Sequence, residues 1–121
     1  REVFYTDQYS IESPLHGGPI IYDRKSGKEI KTLAEDAFLT YVTQIENYII
    51  VQYTEADGRC YGQLFNDKFE LLADLPYLCD IYQDSLVFDY PTGNIRQTRI
   101  YDINELVSMA RKQHTQGGEE T

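Results

Sequence analysis

Between Phe38 and Leu75 the chain fits four short strand-like runs between turns too brief for any crossover, and this stretch limits the fold more than any other. Phe38 to Ile45 (FLTYVTQI) is rich in aromatic and β-branched residues, which favour a pleated, half-buried surface. After Glu46-Asn47, Tyr48 to Tyr53 (YIIVQY) is apolar at nearly every position, the pattern of a strand covered on both faces. Asp57-Gly58 is a strong hairpin signal because both residues tolerate positive φ. Arg59 to Phe65 (RCYGQLF) forms a third run, Asn66-Asp67-Lys68 turns the chain, and Phe69 to Leu75 (FELLADL) forms a fourth. Connections this short permit only antiparallel neighbours, so the stretch is an up-and-down meander.

The plan then starts again. Setting TYVTQI-EN-YIIVQY beside PYLCDIYQDSLVFDY places Tyr53 over Tyr90, the Asp57-Gly58 turn near Pro91-Thr92-Gly93-Asn94, and Leu64-Phe65-Asn66 over Ile100-Tyr101-Asp102. The offset of about 36 residues is close to the roughly 40 of a four-stranded propeller blade. The expected fold is therefore all-β, with antiparallel four-stranded blades of a β-propeller and a short C-terminal helix. Residues 38–75 are read as one complete blade.

Residues 1–37 are read as a partial blade. Val3-Phe4-Tyr5 and Tyr9-Ser10-Ile11 supply an inner strand, Glu12 to Gly18 a loop, and Pro19 to Asp23 and Lys28 to Leu33 an outer hairpin around Arg24-Lys25-Ser26-Gly27. Residues 76–112 are read as the last blade, with strands at Tyr77 to Tyr82, Leu86 to Tyr90 and Ile95 to Tyr101. Where a fourth strand is due, the pattern turns helical over 103–112. Asp102 can cap, Glu105 follows three residues on, Ile103, Leu106, Val107 and Ala110 share one face, and Arg111 and Lys112 suit the dipole at the end. Residues 113–121 (QHTQGGEET) lack an apolar anchor and are expected to be disordered. A propeller closes with four blades or more, so this reading makes the chain the C-terminal part of a longer protein. The remaining blades are then its first partners, and the parent's N-terminal segment is expected to complete the last blade.

Acidic residues outnumber basic ones by 20 to 11, a formal charge of −9, which opposes nucleic acid and anionic membrane surfaces as partners. No transmembrane or signal segment is evident in the sequence. Eleven Tyr and no Trp fit β-propensity and core packing with a hydrated hydroxyl, ahead of a surface for stacking sugars or bases.

The hairpin IIYDRKSGKEIKTL, the run ENYIIVQY and the ending LPYLCDIYQDSLVFDYPTGNIRQTRIYDINELVSMARK resemble the C-terminal blades of six-bladed β-propeller proteins abundant in Bacteroides-type bacteria. Many of those are predicted envelope lipoproteins of unknown function. The resemblance covers about Pro19 to Lys112 and implies six blades and a bacterial envelope location, in the periplasm or at the outer-membrane surface. It brings no catalytic residues with it.

Chemical signatures are sparse. His16-Gly17-Gly18 is a fragment of a lipase-type oxyanion loop, but no Gly-x-Ser-x-Gly elbow accompanies it, and it reads as a turn. Cys60 and Cys79 fall on non-corresponding strands of neighbouring blades and read as two free thiols rather than a disulfide; their spacing is not that of a zinc site. Glu55 with Asp57, and Asp80 with Asp84, lie near turns without the ligand pattern of a calcium loop. No residue is assigned as catalytic, cofactor-binding or metal-binding. The expected function is a non-enzymatic binding or scaffolding module for a protein or glycan ligand. The alternative is a carbohydrate-active hydrolase or lyase using acidic residues at a channel mouth.

Overall fold

A computed structural model describes residues 2–14, 17–33, 37–75, 79–83, 85–92, 95–109 and 111. Among these residues eleven strands form three antiparallel sheets, each built from strands consecutive in the chain. Sheet 1 has the order β1-β2-β3-β4, with β1 at Glu2–Tyr5, β2 at Tyr9–Ser13, β3 at Ile20–Asp23 and β4 at Glu29–Thr32. Sheet 2 is β5-β6-β7-β8, at Ala37–Ile45, Tyr48–Glu55, Cys60–Asn66 and Leu71–Leu75. Sheet 3 is β11-β10-β9, with β9 at Cys79–Tyr82, β10 at Ser85–Thr92 and β11 at Ile95–Asp102. A short helix follows at 103–109 and includes 111.

The first segment differs from its expected form. Val3-Phe4-Tyr5 and Tyr9-Ser10-Ile11 are two paired strands, with Phe4 opposite Ile11, so sheet 1 has four strands and not three. The turn between them is held by Thr6, whose amide donates to the Tyr9 carbonyl (2.9 Å) and whose hydroxyl accepts from the Tyr9 amide (3.1 Å). A Thr side chain thus supplies a turn that carries no Gly, Pro or Asn to announce it.

The fourth strand of sheet 2 also starts later than Phe69. Asn66 Oδ1 accepts the amides of Lys68 (3.0 Å) and Glu70 (2.9 Å), which curls the chain and leaves Phe69 at φ 60°. Its ring is fully buried. In sheet 3, Tyr77 and Leu78 lie outside the described residues, as do 112–121, including the stretch expected to be disordered. No fourth strand joins sheet 3 among the described residues.

Two cores lie between the sheets, and β6 feeds both. Ile49, Val51 and Tyr53 join Ile11, Ile21, Leu33, Leu39, Val42 and Phe65 between sheets 1 and 2. Ile50 joins Ile45, Leu64, Leu75, Leu86 and Phe88, with Tyr48 packed against this group, between sheets 2 and 3. Alternate side chains of a strand point to opposite faces, so an unbroken apolar run is what this position requires. The helix buries Ile103, Leu106 and Val107 in the second core. Asp102 caps it by accepting the Asn104 amide at 2.7 Å. Among the described residues, no helix is long and apolar enough to cross a membrane.

Candidate functional site

Three turns from two sheets meet in a cleft of about 80 Å³. The β1–β2 turn brings Thr6, Asp7 and Gln8; the end of β5 and the turn after it bring Gln44 and Asn47; the β7–β8 turn brings Asp67. Tyr9 and Ile49 complete the lining.

Hydrogen bonds between the sheets fix this geometry. The Asp7 amide donates to Gln44 Oε1 at 2.8 Å, while Gln44 Nε2 donates to the Glu46 carbonyl (3.0 Å) and reaches Asp7 Oδ2 at 3.3 Å. The Tyr9 phenol donates to the Asp67 carbonyl at 2.8 Å, and its ring meets Phe69 edge-on with centroids 4.9 Å apart. Burial first, then the charges of Asp67 and Asp23, raise the Tyr9 phenol above its ordinary value of 10.0. Further along, Lys31 on β4 donates to the Phe69 carbonyl and lies over the Phe65 and Phe69 rings. Arg24 donates to the Thr6 carbonyl at 2.7 Å and sits over the Tyr5 ring at 5.1 Å. Both cations therefore brace the framework through cation–π contacts and carbonyl hydrogen bonds.

The residues singled out in the sequence lie elsewhere. Cys60 is free and half-buried on β7, its Sγ 3.6 Å from the Gly58 carbonyl and 3.5 Å from Thr54 Oγ1. Cys79 lies on β9, its Cα paired with that of Phe88. Glu55 forms an ion pair with Arg59 at 2.7 Å, and Asp57 Oδ1 accepts the Arg59 amide at 3.0 Å, so both serve the hairpin turn. Asp80 is exposed on β9, whereas His16 and Asp84 lie outside the described residues. Among the described residues, no three His, Cys, Asp or Glu side chains gather in a way that could hold a metal ion.

Asp7, Gln44, Asn47 and Asp67 were not singled out as a site in the sequence. A signal for them exists: in a meander the first-to-second and third-to-fourth turns share one end of each sheet, which is where three of these residues sit. Comparison with protein-family models, curated proteins and solved structures finds no match to this chain.

Proposed function

We propose that the three sheets are consecutive blades of a β-propeller and that the chain is a non-enzymatic binding or scaffolding module. The observation that carries this reading is sheet 2, a four-stranded meander whose two faces are buried by the sheets before and after it in the chain. Blades of a propeller pack in this serial way, and turns on one side of the ring form its recognition surface. Further blades of the same kind are the partners of the outer sheets, and the open edge of β11 accepts a fourth strand. The bacterial envelope location rests on the family resemblance. The cleft between the first two sheets is the ligand site, because separate turns supply its polar groups and the sheet framework holds them.

The test is a titration of the isotopically labelled chain, followed by NMR, with a panel of neutral oligosaccharides and short peptides. Amides at 6–9, 44–47 and 66–68 are expected to shift together with at least one member. A panel that moves none of them would remove the cleft as a binding site. Cleavage of an oligosaccharide would replace the binding module with the hydrolase alternative.

A further inference from the structure

The three sheets repeat one detail. On the face that sheet 1 turns towards sheet 2, Ile11 of the second strand stands opposite Ile21 of the third, and on the face that sheet 2 turns towards sheet 3, Ile50 stands opposite Leu64. Both pairs are fully buried, because the following sheet covers them. In sheet 3 the same position holds Val87 opposite Ile100, on the side away from sheet 2, since the neighbouring Leu86 and Phe88 turn towards it. Here Val87 is only half-buried and Ile100 is 65% exposed. Tyr82 is exposed on this side too, its neighbour Ile81 being packed on the second core. Asp89, next on that side of β10, already accepts from the Thr98 hydroxyl at 2.8 Å, so a cover would not leave it without a partner.

The other two sheets say what kind of surface belongs over such a pair. The pair of sheet 1 shares a core with Ile49, Val51 and Tyr53 of sheet 2, and the pair of sheet 2 shares one with Leu86 and Phe88 of sheet 3. The corresponding face of sheet 1, opposite to Phe4, Ile21 and Lys31, carries Val3, Tyr5, Ile20, Tyr22 and Ile30. Val3, Tyr5 and Ile30 are exposed there. The stack therefore displays both halves of a junction that it already makes twice. One copy cannot bring them together, because a propeller closes with about four to eight blades and the described residues form three sheets. Two copies supply six sheets, and three copies would exceed that range.

We propose that two copies of the chain join head to tail, the outer face of sheet 3 in each covering the outer face of sheet 1 in the other, and close a six-sheet ring. This rests on the sheets being propeller blades. A contact between two sheet 1 faces would leave the Val87–Ile100 pair in water, whereas the head-to-tail contact covers both faces and, once closed, leaves none to propagate.

The test is light scattering coupled to size exclusion over a wide range of concentration. The full chain is expected to saturate at twice the monomer mass. Tyr5→Lys and Ile100→Lys, each alone, are expected to weaken that association about a hundredfold, because each lesion stands in both junctions. An equimolar mixture of the two is expected to pair again, since one junction of the mixed dimer carries both lesions and the other carries none. Growth past two copies, or a mixture no better than its components, would overturn the proposal. So would pairing of Ile100→Lys as tight as that of the unaltered chain, which marks two sheet 1 faces in contact. A full chain that stays monomeric would also overturn it and assign the end faces to sheets of a different polypeptide. Methyl NOEs in the Tyr5→Lys chain separate the ring from the blade reading on which it rests: contacts within the two cores are expected to join sheet 1 to sheet 2 and sheet 2 to sheet 3. If they are present while the ring fails, the blade stack stands and only the second copy is lost. If they are absent, the blade reading falls with it.

Discussion

Tyr9 is held through its backbone, its ring and its hydroxyl, each doing a different job. Its amide closes the β1–β2 turn on Thr6, its ring packs edge-on against Phe69, and its hydroxyl ties sheet 1 to the Asp67 carbonyl of sheet 2. A phenol raised above 10.0 binds its proton more tightly in the folded protein than in the unfolded one. Its contribution to stability is therefore complete below pH 10.0 and is lost as pH rises through the raised value. Chemical denaturation across the alkaline range should show stability falling there, and Tyr9→Phe should flatten the fall. Titration of Tyr9 by carbon NMR should move towards 10.0 in Asp67→Asn, without reaching it, because burial is the larger cause.

Among the elements, the C-terminal helix is short enough that its ends weigh heavily on its stability. Asp102 accepts the Asn104 amide, one of the donors that a helix start leaves without an internal partner. Asp102→Ala is expected to cost about 1 kcal/mol in urea denaturation. That cap was legible in the sequence, as were most strands, because apolar period and turn chemistry agree along 38–75 and again from Leu86 to Asp102. The β1–β2 hairpin was not, since its turn depends on a hydroxyl rather than on Gly or Pro. Phe69 reads as a strand residue by composition, yet the Asn66 side chain captures the chain before the strand can begin. The cleft was hidden for another reason. Its defining bonds join residues 37 and 58 positions apart, and no local pattern encodes a meeting between turns of different sheets.

At the scale of the whole molecule, a stack of three sheets has two outer faces, and neither is covered within the described residues. Val3, Tyr5 and Ile30 stand exposed on sheet 1, Tyr5 at 63%, while Tyr82 (71%) and Ile100 (65%) stand exposed on sheet 3. Apolar side chains grouped on a sheet face mark contact surfaces. The chain is accordingly expected to self-associate in light scattering coupled to size exclusion, and paired Tyr5→Lys and Ile100→Lys changes should shift it towards monomer. A monodisperse monomer with a sharp, reversible unfolding transition would contradict this. The arrangement of β6 carries one more consequence. Most strands resist slipping by one residue because the slip would expose their apolar side to water. Here a slip would exchange Ile49, Val51 and Tyr53 with Tyr48, Ile50 and Gln52 between two largely apolar interiors, with Gln52 the one non-aromatic polar side chain among them. Greasiness alone therefore cannot choose the frame of the central strand. That choice falls to the Glu46-Asn47 and Asp57-Gly58 turns and to the offset between Leu39 and Tyr41 on β5, so a single inserted residue in either turn would threaten both interiors at once.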